Sequence, residues 1–166
     1  MNGQSPPFYG KYRGVVTDNQ DPLFQGRVRA KVQDILGGQE CGWAMPSVPY
    51  AGSGVGLFLI PPTKASVWIE FEHGDPDYPV WTGCFWAIGE VSALPALAGT
   101  KMLKTDTATI TLSDLPGPLG GVTIETKMGM KLVMDMTGIT IDNGQGASIK
   151  LQLVQVSING DALEVI

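Results

Sequence analysis

Apolar and polar residues alternate along most of this chain, in short bursts separated by glycine and proline. In 26–32, Val28, Ala30 and Val32 alternate with Arg27, Arg29 and Lys31; in 65–72, Val67, Ile69 and Phe71 alternate with Trp68, Glu70 and Glu72. A period of two gives each strand one core face and one outer face. Further candidate strands lie at 11–17, 43–48, 56–60 and 79–85. Short strands this closely punctuated within residues 9–86 predict a small antiparallel barrel.

Residues 87–100, AIGEVSALPALAGT, break the alternation and read as a linker or collar. From residue 101 it returns with Ile110 and Leu112, Val122 and Ile124, Leu132 and Met134, Ile139 and Ile141, and Ile149 and Leu151. Turn glycines at 121, 129, 138 and 146 are spaced by eight, nine and eight. The next step lands at Val154, where Leu153 and Val154 flip the phase before Val156 and Ile158 resume it. That flip marks a corner without a glycine. Strands of this length with a corner after each suit a β-helix or β-prism rather than a hairpin sheet. One chain would complete only two or three coils, whereas three intertwined chains would complete a layer per strand, about 33 Å of shaft at ~4.7 Å per strand. The expectation is a homotrimer whose core is formed by the twelve residues from Ile110 to Ile158 just named, the corner residues Leu153 and Val154 excepted. Leu163 and Val165 carry the inward phase to the end and, with Asp161 and Ile166, form a terminal platform.

Composition narrows the class. Gly (22) and Pro (12) are too frequent for a helical protein, and 43% hydrophobic against 16% charged residues excludes intrinsic disorder. The apolar run at 55–60 is too short to span a bilayer, and the first ten residues show no secretory signal, so synthesis in the cytoplasm is expected. A net charge of −5 disfavours a nucleic-acid binder, which needs Lys and Arg to neutralise phosphates. Cys41 and Cys84 are too few for a disulfide framework and read as small core residues.

Candidate chemistry is sparse. His73 is the one histidine, which argues against a His-rich metal site or a Ser-His-Asp apparatus. Asp75 and Asp77 flank Pro76 and read as turn chemistry rather than as a pair of catalytic carboxylates. GSGVG at 52–56 lacks the GK[ST] of a phosphate loop. Arg27, Arg29 and Lys31 form a basic row that reads as a solvated face or a subunit contact, with single-stranded nucleic acid as the alternative. Trp68 lies on the polar-facing side of its strand and is expected to bury its ring against a neighbouring subunit or partner. No enzyme activity, metal or cofactor is expected.

Several segments resemble a known family. YGKYRGVVTDNQDPLFQGRVRAKV (9–32), WAMPSVPYAGSGVGLFLIPP (43–62), ASVWIEFEHGDPDYPVWTG (65–83) and CFW (84–86) resemble the OB-fold domain of phage baseplate assembly protein V and VgrG-type spikes. The stretch 138–166 resembles the triple-stranded β-helix that follows it in those proteins. The resemblance implies an all-β chain: an OB-fold domain (1–86), a linker or collar (87–100) and an intertwined trimeric β-helix (101–166). It implies a central spike at the baseplate tip of a contractile tail, in a virion or an injection particle, that attaches to a tube hub and punctures the target envelope. An OB-fold nucleic-acid-binding module is the alternative. Larger relatives carry a lysozyme domain or an N-terminal hub region; with eight residues before Tyr9, this chain is expected to be a minimal spike whose hub is another polypeptide. With no histidine after His73 and no cysteine after Cys84, a metal-bound tip is not expected. A separate PAAR-type tip protein is expected to cap the terminal platform instead.

Overall fold

A computed structural model of the chain describes residues 7–92, 97–160 and 162–165, and divides it into two units, Met1–Glu90 and Val91–Ile166. Both are built of β-strands, with one short helix and two 3₁₀ turns among the described residues.

The first unit contains β1 (Tyr12–Asp18), β2 (Arg29–Val32), the helical turn α1 (Gln33–Leu36), β3 (Met45–Pro46), the small hairpin β4 (Ala51–Gly52) and β5 (Val55–Gly56), β6 (Ser66–Phe71) and β7 (Pro79–Phe85). Its main sheet runs β2-β1-β6-β7-β3, antiparallel except for the parallel pair β3–β7. The two ends of that sheet meet. Val28 and Ala44 exchange backbone hydrogen bonds of 3.2 and 2.8 Å, so the chain before β2 is tied to the chain entering β3. This five-stranded ring is the OB-type arrangement. Its interior holds Val28, Ala30 and Val32 with Val67, Ile69 and Phe71, the two alternations read from the sequence, together with Val16, Ala44 and Trp81. Gly14 faces inward where a Cβ would lie 3.0 Å from the Ile69 side chain, a tight fit that a larger residue would relieve only by shifting Ile69.

Two expectations change here. Residues 57–60 are not a strand: the hairpin ends at Gly56, and Pro61 and Pro62 offer no N–H groups to a ladder. Cys41 is a core residue but Cys84 is exposed; both thiols are free, and desolvation pushes both above the ordinary range.

The β1–β2 loop is organised around one carboxylate. Asp21 accepts hydrogen bonds from the backbone N–H groups of Leu23, Gln25 and Arg27 and from the Arg27 guanidinium, the shortest at 2.6 Å. The Arg27 side chain is the main cause that holds the Asp21 carboxyl well below the usual carboxylate range. So clamped, the loop carries Leu23 and Phe24 outward, Phe24 at a positive φ and 91% exposed.

The second unit contains β8 (Thr100–Lys104), β9 (Ala108–Ser113), β10 (Gly121–Thr126), β11 (Lys131–Asp135), β12 (Gly138–Asp142), β13 (Ser148–Gln152), β14 (Gln155–Ile158) and β15 (Leu163–Val165). These form one eight-stranded sheet in which every strand pairs antiparallel with its neighbour in sequence. The sequence reading, which sent each strand around a corner onto a new face, is corrected: within one chain the strands form a hairpin meander. Met136–Thr137 and Leu153–Val154 are two-residue turns that reverse the chain onto the same sheet. At the first, the Thr137 N–H and hydroxyl donate to the Asp135 carboxylate at 2.7 and 2.6 Å, which lowers the Asp135 pKa.

The Asp21 clamp gives a pH-dependent prediction. The folded carboxyl titrates below its unfolded value of ~3.9, so its stabilisation is complete above about pH 4 and fades as pH falls below that. Asp21→Asn is therefore expected to melt several degrees below the parent chain at pH 7, with the gap closing below pH 4. Tryptophan fluorescence reads this unit specifically, because Trp43, Trp68, Trp81 and Trp86 all belong to it.

Candidate functional site

Strand register in the second unit sorts its apolar side chains into two rows. Leu103, Ile110, Ile124, Leu132, Ile141, Ile149, Ile158 and Leu163 are successive cross-strand partners. Beside them run Leu112, Val122, Met134, Ile139, Leu151 and Val156, with Lys101 before the first and Val165 paired with the last. Alternation puts both rows on the same face. All twelve residues expected inward lie in them. Leu163 ends one row on β15, an edge strand; the side chain of Val165 is not described, and Asp161 and Ile166 lie outside the described residues.

The opposite face is mainly polar, with Met102 and Val133 among its threonines. Thr109, Glu125, Lys131, Asp142 and Ser148 are cross-strand partners, and Glu125 pairs with Lys131 at 3.6 Å. Lys150 lies on this face between Thr140 and Ser157.

No described side chain of the second unit is buried. Ile110, Leu112, Ile124, Ile141, Ile149 and Leu151 are all exposed, and a trough of about 610 Å³ lies over Ile124, Leu132, Ile141, Ile149 and Ile158. A sheet with one apolar face needs a second layer. Within the second unit this face has none.

The two sides of the sheet differ. The turns beside the Leu112–Val156 row carry Leu119, Met136 and Leu153, spaced by seventeen residues. The turns beside the trough are rich in Gly, Asn, Asp, Lys and Thr: 105–107, 127–130, 143–147 and, among the described residues that follow β14, Asn159 and Gly160. The sequence reading found a step of about eight but missed the seventeen-residue unit, which corresponds to one hairpin. Leu153 sits at φ 50, a left-handed conformation that costs a non-glycine residue about 1–2 kcal/mol.

In the first unit, the residues singled out for chemistry are occupied structurally. His73 is exposed in the 3₁₀ turn Glu72–Gly74. Asp75 accepts the Asp77 N–H at 3.0 Å, an Asx turn, and both carboxylates face solvent. GSGVG forms the β4–β5 hairpin. Two of the three cations in the basic row have acidic partners: Arg27 pairs with Asp21, Arg29 lies 3.5 Å from Glu40, and both guanidinium groups flank Trp43, while Lys31 is exposed. Trp68 packs at 4.7 Å on Phe85, with Arg13 over both rings, so part of its cover comes from its own chain. Among the described residues no group of three or more His, Cys, Asp or Glu side chains could hold a metal ion, and no helix is long and apolar enough to cross a membrane.

A five-stranded ring followed by an antiparallel sheet with an uncovered apolar face defines a two-part β protein that builds its second part with other chains. Comparison with protein families agrees: residues 12–86 match the Type VI secretion system/phage-baseplate injector OB domain, and residues 101–164 match the phage baseplate V C-terminal trimerisation domain. The chain belongs to the phage baseplate V family. No curated protein matches its sequence.

Gly138 opens β12 at φ 138, and a Cβ there would collide with the carbonyl of Leu151 on the adjacent strand. Gly138→Ala is expected to break the β12–β13 ladder, lowering β-content in the far-ultraviolet spectrum while leaving tryptophan fluorescence of the first unit native.

Proposed function

We propose that this chain is the structural, homotrimeric central spike of a contractile-tail baseplate, in a phage virion or an injection particle. The observation that carries the reading is the two-row apolar face, left uncovered in a unit that matches a trimerisation domain. Three copies turned inward would cover one another, forming a dry prism with the Glu125, Lys131 and Lys150 faces outside. Its twelve core positions per chain are those read from the alternation.

The work is mechanical, with no bond-making step. Meander strands lie across the shaft, so their ladder hydrogen bonds run along it. Compression is then borne by seven hydrogen-bonded intervals between eight strands, about 33 Å at ~4.7 Å each. That length is comparable with the ~30 Å hydrocarbon core of one bilayer, as envelope puncture requires.

The first unit would be the adaptor to the tube hub. The clamped β1–β2 loop supports this, because it holds Leu23 and Phe24 exposed on a rigid base. At the other end of the chain, β15 leaves one strand edge unpaired below Leu163, which suits a PAAR-type tip protein docking by apolar contact and strand pairing. The pairing of Arg27 and Arg29 to acids favours this reading over the nucleic-acid alternative for the OB domain.

Light scattering is expected to give three times 17.6 kDa; a stable monomer with native β-content overturns the reading. Ile149→Asp would set three unpaired carboxylates around the axis, a change of several kcal/mol, and is expected to dissociate the trimer. Lys150→Asp, on the polar face, is expected to leave it assembled. A PAAR-type protein is expected to co-purify with the parent trimer but not with a chain lacking residues 161–166.

A further inference from the structure

We propose that the trimer is closed at its corners by the turn residues Leu119, Met136 and Leu153 of each copy, which seat over the trough edge of the next copy. The proposal rests on the trimeric reading above and specifies which surfaces meet.

Leu119 and Met136 are 71% and 73% exposed, Val154 is 83% exposed and Leu153 wholly so. These are the most exposed apolar side chains along that edge, and they recur once per hairpin. Turns at solvent ordinarily carry Gly, Asn or Asp, and Leu153 occupies a left-handed position that favours those residues. An exposed leucine held there works against local preference. Contact with another surface accounts for it.

The opposite edge has the matching form. The turns 127–130 and 143–147 approach backbone to backbone, since a Cβ on Gly144 would lie 2.7 Å from the Gly129 carbonyl carbon. No side chain stands between them, and the apolar trough opens directly behind. Met128 and Met130, 77% and 46% exposed, lie on the 127–130 turn of this edge and add an apolar rim.

Height fits as well. In a meander, turns on the two sides alternate by one strand, ~4.8 Å. With the strands square to a threefold axis, Leu153 of one copy would fall level with the neighbour's β13 and β14, and Met136 with its β11 and β12, beside the joined 127–130 and 143–147 turns. The joint is heterologous: one edge always meets the other kind, and three such joints close the ring.

Leu153→Asn provides the test, because asparagine tolerates positive φ and keeps the turn while removing the apolar knob. The concentration at which the trimer dissociates is expected to rise at least tenfold, with β-content unchanged. In parallel, Leu153→Cys combined with Ala147→Cys, in a Cys84→Ser background, is expected to give covalent trimers with a short bifunctional thiol reagent, and neither single variant should. A parent chain that is monomeric sinks the trimer itself. A trimeric parent with an unaltered Leu153→Asn midpoint, or with dimers linked through Leu153→Cys alone, overturns the corner assignment and leaves the trimer standing.

Discussion

Covering the apolar face of the eight-stranded sheet is the constraint on which the second half of this protein depends. An antiparallel sheet stays folded with one wet side provided the other is dry. Ile110 to Ile158 supply the apolar side, while no part of the second unit lies over it. Each hairpin turn, each polar outer row and the alternation itself make sense once further chains complete the layer. Folding and assembly are then one event, because the unfolded reference state is separated from the native one by association as much as by chain ordering.

The first unit meets the same requirement differently. Its sheet curls until Val28 reaches Ala44, so each inward side chain finds partners in the same chain. That closure demands small residues where strands crowd, at Gly14, Ala30 and Ala44, and larger ones such as Ile69 and Trp81 where space remains. Trp81 also donates its indole N–H to the Gly26 carbonyl at 3.1 Å, tying the barrel floor to the loop that Asp21 organises. One unit is complete in a single chain and the other is not, which suits a protein joining a folded adaptor to a shared shaft.

Load-bearing follows from strand direction. Strands that cross a shaft present their hydrogen bonds along it, and consecutive antiparallel pairing keeps each ladder within one chain. In the proposed spike, three such ladders side by side would share a dry interior, so that bending any one of them would require opening contacts with the other two. The exposed leucine and methionine turns would then act at the seams.

Alternation in the sequence sufficed to choose the faces. Because successive side chains on a strand point to opposite sides, alternation alone assigns Val28, Ala30, Val32, Val67 and Ile69 to the interior and the twelve residues from Ile110 to Ile158 to one common face, and the all-β class follows from the density of turns. Alternation says nothing about which strand lies beside which. Strands wrapped around corners and strands folded into a meander carry the same period of two, and the hydrogen-bond partners that separate the two lie outside any local window. Cys41 and Cys84 look alike in sequence, yet one lies inside the ring and the other outside it. Asp21 reads as an ordinary loop acid until the chain brings three amides and a guanidinium around it. The seventeen-residue spacing of Leu119, Met136 and Leu153 was present throughout, but it became one edge of one surface only when the hairpins placed those turns in line.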